Sequence, residues 1–169
     1  MFFKKLFGKK TEEVAQNDVL VSPLTGKLVA LEDVPDPVFS QKMMGEGLAV
    51  DPSEGVLVAP IDAEVLQVFP TKHAIGLKTA NNTEILMHIG LETVSMNGEG
   101  FEAFVKEGDK VKKGDKLITF NLDLIREKAK STITPIIITN TADMEKIEKT
   151  TTASLVKGET SLLTIEPKK

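Results

Sequence analysis

From Val19 onward the chain alternates short apolar runs with clusters of Gly, Pro, Asp and Asn. Runs over 26–31, 47–50, 56–59, 63–69, 75–79, 85–89, 116–120, 136–139, 154–157 and 162–165 are each of strand length. Many short strands at such spacing specify an all-β protein, here expected to be an antiparallel β-sandwich. Two segments break the pattern. Residues 122–130 read as a helix, with Asn121 as N-cap and Pro135 beyond its end. Residues 142–149 read as a second short helix.

The pattern repeats. Val21-Ser22-Pro23-Leu24-Thr25-Gly26-Lys27-Leu28-Val29 lines up with Val58-Ala59-Pro60-Ile61-Asp62-Ala63-Glu64-Val65-Leu66. Each is a strand end, a proline, a turn and a new strand. A third stretch, 105–118, is related through its Glu107-Gly108-Asp109 and Lys113-Gly114-Asp115 turns. The sandwich is therefore expected to be built from a duplicated β-motif.

Residues 73–88 read as a hairpin, with polar Asn81-Asn82 near its middle. A two-residue loop at Ala80-Asn81 pairs Thr79 with Asn82. The same ladder then sets His73 directly opposite His88, the two histidines of the chain. Opposed residues share a sheet face, with Cβ atoms about 5 Å apart. A slip of one residue would put the rings on opposite faces. In this register His73, Ile75, Leu77, Glu84, Leu86 and His88 share a face, and Thr71 joins them if the strand extends that far.

Composition narrows the function. The 169 residues are 41% hydrophobic and 27% charged, which suits one globular domain. The net charge of −4, with no basic stripe through the body, argues against nucleic acid and mildly favours a basic partner. With no cysteine there are no disulfides or thiolate metal sites, which fits the cytoplasm. No apolar run reaches the roughly 20 residues of a transmembrane helix. Residues 1–18 are set apart from a domain at 19–169. In residues 1–10, Phe2, Phe3, Leu6 and Phe7 would share one helix face with lysines opposite. That pattern suits weak contact with the inner face of the plasma membrane.

The residues around His88, Glu84-Ile85-Leu86-Met87-His88-Ile89-Gly90, are mostly apolar. Such a setting disfavours imidazolium, so His88 is expected to be neutral near pH 7. A neutral imidazole keeps one lone pair for nucleophilic attack, provided an acceptor holds the proton on its other nitrogen. The Thr71 hydroxyl could orient His73. Two histidines are an incomplete zinc site. There is no glycine-rich phosphate loop. The stretch 36–47 offers Val38, Phe39, Met43 and Met44 as apolar surface, and paired methionines suit adaptable contacts as well as an ordinary core.

These residues resemble the glucose-type IIA component of the bacterial sugar phosphotransferase system. The resemblance runs from about Val19 to Ile165. It is carried by Val21-Ser22-Pro23-Leu24-Thr25-Gly26, Glu32-Asp33-Val34-Pro35-Asp36-Pro37-Val38-Phe39, Thr71-Lys72-His73-Ala74, Glu84-Ile85-Leu86-Met87-His88-Ile89-Gly90-Leu91-Glu92-Thr93-Val94, Asn97-Gly98-Glu99-Gly100-Phe101 and Lys128-Ala129-Lys130-Ser131-Thr132-Ile133-Thr134-Pro135. It implies a monomeric phosphocarrier. His88 would accept a phosphoryl group on Nε2 from the carrier HPr and pass it to a cysteine of a sugar-specific IIB domain. His73 would support the transfer, Thr71 would bond to His73, and the Gly90 carbonyl would fix the His88 tautomer. Asp36 and Glu92 would meet basic partner groups, within a docking patch that includes Val38, Phe39, Met43, Met44, Phe69 and Leu86. No cofactor is required, although the family can bind zinc between its two histidines and a partner's carboxylate.

Other readings compete. A regulatory binding protein of the same fold would keep the histidines without using them. A biotinyl or lipoyl carrier needs a modified lysine at a hairpin tip, and no such context is present. A zinc endopeptidase of related fold needs more ligands than two histidines supply.

Overall fold

The computed structural model describes residues 17–168. The proposed membrane contact at residues 1–10 lies outside them. The chain forms β1 (Asp18–Val21), β2 (Gly26–Ala30), α1 (Pro37–Ser40), β3 (Glu46–Pro52), β4 (Val56–Val58), β5 (Ala63–Val68), β6 (Ala74–Lys78), β7 (Glu84–His88), β8 (Phe101–Ala103), β9 (Lys110–Val111), β10 (Lys116–Phe120), α2 (Leu122–Lys128), β11 (Thr134–Ile138), β12 (Met144–Lys149), β13 (Ser154–Leu155) and β14 (Ser161–Pro167). The first strand begins at Asp18, one residue ahead of the expected boundary. Its carboxylate is buried and accepts hydrogen bonds from the Thr79 and Thr83 hydroxyls, both at 2.7 Å.

One sheet has eight strands in the order β13-β2-β3-β11-β7-β6-β5-β9. Two three-stranded sheets, β1-β14-β12 and β4-β10-β8, complete the sandwich. The main core joins Val50, Ile75, Leu77, Ile85, Met87 and Ile136 of the large sheet to Leu20, Leu57, Leu117 and Leu163 of the small ones. A smaller apolar cluster lies on the other face of the large sheet. There Leu31, Val34 and Phe39 pack against Ala49, Ala74, Leu86, Leu91 and Ile137.

The expected duplication is visible in the hydrogen bonding. Val21 N–H donates to the Pro60 carbonyl at 3.0 Å, and Val58 N–H donates to the Pro23 carbonyl at 2.9 Å. Gly158 N–H reaches the Ser22 carbonyl just as Gly114 N–H reaches that of Ala59. Thus 105–118 is no third copy. Its Lys113-Gly114-Asp115 turn belongs to the second copy, and its counterpart is Lys157-Gly158-Glu159. The approximate two-fold runs through the Met87–Ile136 pair. It relates His88, paired with Ala74, to Ile137, paired with Gly47.

Two further expectations are corrected. Residues 144–149 are strand β12, not helix, because they pair with β14 along the sheet edge. The β6–β7 register is shifted by one residue from the expected ladder, with Ala74 rather than His73 opposite His88. The turn explains the shift. Its loop has three residues, Ala80 to Asn82, with Thr79 N–H donating to the Thr83 carbonyl and Asn82 at φ +66°. A type I turn followed by a left-handed residue is the usual three-residue hairpin, and asparagine tolerates that conformation. Ile75 and Leu77 therefore face the main core, while Ala74, Gly76 and Lys78 share the outer face with His88, Leu86 and Glu84. The helix at 122 forms as expected, slightly shorter, with Asn121 Oδ1 accepting from Leu124 N–H at 3.1 Å.

Candidate active site

The two imidazoles meet despite the register. Their centroids are 4.9 Å apart and the rings are nearly perpendicular, at 78°. His73 is not in a strand. It ends the loop between β5 and β6, which closes where Lys72 N–H donates to the Phe69 carbonyl at 2.7 Å. Lys72 holds φ +61°, a left-handed conformation that reverses the chain just before His73. That reversal, rather than strand alternation, directs the ring toward His88.

Each ring has a fixed partner at Nδ1. Thr71 Oγ1 lies 2.5 Å from His73 Nδ1, although the strand does not extend to Thr71. His88 Nδ1 donates to the Gly90 carbonyl at 2.8 Å, because a carbonyl can only accept. The proton is thereby kept on Nδ1, and the His88 Nε2 lone pair is left available. Gly90 makes this return geometry accessible. Its φ is +71°, and a Cβ there would lie 2.8 Å from both the Ser131 carbonyl oxygen and Thr93 Cγ2.

Burial keeps both rings neutral. It pushes the His73 imidazole pKa down to about 4, and the neighbouring His88 acts in the same direction. Burial also lowers the His88 pKa, opposed by its bond to the Gly90 carbonyl and by the Asp36 charge. His73 is 4% exposed, whereas His88 remains half-buried and reachable.

Two phenylalanines wall the pair. Phe39 lies 5.2 Å from the His88 ring and Phe69 lies 5.6 Å from His73, centroid to centroid. Asp36 Oδ1 accepts from Val38 N–H at 3.0 Å, so this residue caps α1 as well as facing His88 electrostatically. Leu86 is buried on the outer face. Val38 is 40% exposed, Met44 40% and Met43 69%, the methionines lying past α1 on the way into β3. Glu92 is exposed at φ +59°. Sequence reasoning missed exposed Val94 and buried Thr134, whose hydroxyl accepts from Gly90 N–H at 3.2 Å. The Ser131-Thr132-Ile133-Thr134-Pro135 motif contained that signal.

Half-buried His88 and the exposed Val38 and Met44 open the arrangement to solvent. A cavity of about 350 Å³ lies beside Lys78, at the far end of the β6–β7 ladder. Among the described residues no cluster of three or more metal-ligating side chains exists. Two imidazoles are half of a tetrahedral zinc shell, so the described residues alone do not complete one.

The fold is thus a β-sandwich of duplicated halves with one imidazole pair on the outer face of its large sheet. Residues 18–144 match the family described as phosphoenolpyruvate-dependent sugar phosphotransferase system, EIIA 1. The glucose-specific EIIA component of Bacillus cereus is 58% identical over 168 residues, covering 98% of this chain and 99% of that protein. The Staphylococcus epidermidis protein of the same name is 53% identical over 163 residues, covering 96% and 98%. The solved glucose permease IIA of Mycoplasma capricolum superposes with a TM-score of 0.82 at 38% identity, covering 88% of this chain and 96% of that one. The chain belongs to the EIIA type 1 family, and its function is that of a phosphocarrier in the sugar phosphotransferase system.

Proposed function

We propose that His88 is the phosphoryl acceptor and that His73 is its helper. The observation that carries this reading is the bond from His88 Nδ1 to the Gly90 carbonyl, which frees Nε2 at a half-buried position. The donor is the phosphohistidine of HPr. His88 Nε2 attacks phosphorus, the new N–P bond forms, and the donor's P–N bond breaks with its electron pair returning to the donor imidazole. Neutral His88 has no proton to lose at Nε2. Onward transfer reverses the bonding. A thiolate of a sugar-specific IIB domain attacks, a P–S bond forms and the His88 lone pair is restored. Such chemistry asks mainly for in-line positioning and charge stabilisation.

His73 can supply that stabilisation. If Thr71 donates to its Nδ1, the proton sits on Nε2 and the ring can donate to a phosphoryl oxygen. Apolar Val38, Phe39, Met44 and Phe69 give HPr and IIB a small shared docking patch, and closure over it protects the labile P–N bond from water. Asp36 and Glu92 add negative charge suited to basic partner groups. The chain is expected to act as a cytoplasmic monomer. The relatives are named glucose-specific, which makes glucose the first sugar to test.

The test is incubation with phosphoenolpyruvate, enzyme I and HPr, read by intact mass. The wild type should gain one phosphoryl group and His88→Ala none. A labelled His88→Ala protein would refute the assignment.

A further inference from the structure

We propose that Thr134 is a positioning residue for phosphoryl acceptance, acting on His88 through the Gly90 turn. This inference rests on the reading of His88 as acceptor. Thr134 lies at the start of β11, 46 positions beyond His88, and is fully buried. It touches neither imidazole. It grips the peptide just before the one whose carbonyl sets the His88 tautomer.

Residues 93, 131 and 134 hold the two peptides that flank Gly90. Ile89 C=O accepts from the Thr93 hydroxyl at 2.7 Å. Gly90 N–H donates to Thr134 Oγ1 at 3.2 Å. Leu91 N–H donates to the Ser131 carbonyl at 2.9 Å, and it belongs to the same peptide group whose oxygen receives His88 Nδ1–H. Both peptides flanking Gly90 are therefore clamped, one by the 131 carbonyl and one by the 134 hydroxyl. The left-handed Gly90 is the most permissive point in this turn, so external clamps decide where its carbonyl points.

The Thr134 hydroxyl is itself directed. It has one proton, which it donates to the Thr132 carbonyl at 3.0 Å. Toward Gly90 it can only accept. A valine of nearly the same shape would fill the space and leave the Gly90 N–H buried without a partner. The turn would then rotate to find one. Its carbonyl would leave the line of His88 Nδ1–H, and the imidazole would populate the other tautomer, with the proton on Nε2. In that form the attacking lone pair is lost.

The test compares Thr134→Val with Thr134→Ser. The imidazole ¹⁵N shifts of His88 report the tautomer, and single-turnover labelling by phospho-HPr reports acceptance. Thr134→Val should show a substantial Nε2–H population and about tenfold slower labelling. Thr134→Ser should match the wild type in both. An unchanged tautomer in Thr134→Val, or equal effects of the two substitutions, would overturn the proposal. If Thr134→Val does not fold, amide exchange at Gly90 in the wild type decides: protection supports the clamp, and free exchange refutes it. His88→Ala runs alongside. Label on that variant sinks the acceptor assignment itself, whereas an unlabelled His88→Ala with normal Thr134→Val sinks only the clamp.

Discussion

The two halves of the sandwich share a strand plan and differ in one connection. Between β2 and β3 the chain makes a long excursion, residues 31–45, with a 3-10 turn over Leu31–Asp33 and then α1. Between β5 and β6 the matching connection is the short loop 69–73. The long one lays Leu31, Val34 and Phe39 over the outer face of the sheet. The short one carries Thr71 and His73 and covers little. The consequence is plain at the two equivalent central positions. Ile137 is completely buried under the long connection, while His88, its counterpart, stays half-buried at the edge of both. Duplication supplies the shared sheet, and unequal loops leave one copy of a core position partly open to solvent.

That contrast can be broken by substitution at the two equivalent sites. Ile137→Ala should cost about 4 kcal/mol in urea unfolding, since it empties a closed apolar cluster. His88→Ala should cost only about 1 kcal/mol while removing phosphorylation. Similar costs would mean that His88 is simply another core residue.

Acid sharpens the same comparison. The unfolded chain protonates residue 73 near 6.5, the folded chain only near 4. Between those values the unfolded state binds more protons, so stability is full above the window and falls as pH drops through it. The loss should reach about 3 kcal/mol by pH 4. Chemical unfolding should show a steeper fall in the wild type than in His73→Gln, which keeps only the smaller contribution of His88 in this window.

Asp36 tests the long connection. Asp36→Ala should cost about 1 kcal/mol through the lost α1 cap, and Asp36→Asn much less. Both should lower the His88 pKa further in an NMR titration, because its attraction to the carboxylate is gone. Lys72 tests the short one. Lys72→Gly relieves a left-handed residue and should gain about 0.5 kcal/mol in thermal unfolding, while loosening the Thr71–His73 contact.

Most of this architecture is legible in the chain. Alternating apolar runs and Gly/Pro punctuation mark ten of the strands, and the Pro23 and Pro60 echoes mark the repeat. The 110–111 edge strand is too short to show a period, so 105–118 reads as a third copy when it is half of the second. The edge strand at 144–149 carries mostly charged residues, and only its pairing with β14 makes it a strand. The histidine pair is legible as a contact but not in its cause. Counting along a two-residue turn opposes His73 to His88, whereas Asn82 makes a three-residue loop and Lys72 restores the contact from outside the ladder. The Gly90 turn is readable from its glycine. The Thr134 hydroxyl that holds it is remote in sequence, and only the family motif that ends at Pro135, not any local pattern, marks that residue.

The most direct test of an unequal pair separates loading from delivery. His73→Gln should be loaded by phospho-HPr at a rate within a few-fold of the wild type, yet discharge to a IIB domain at least about a hundredfold more slowly, the loss expected of a group that acts in the transition state. His88→Gln should not load at all. Loading of His88→Gln together with failure to load His73→Gln would reverse the roles and contradict the account.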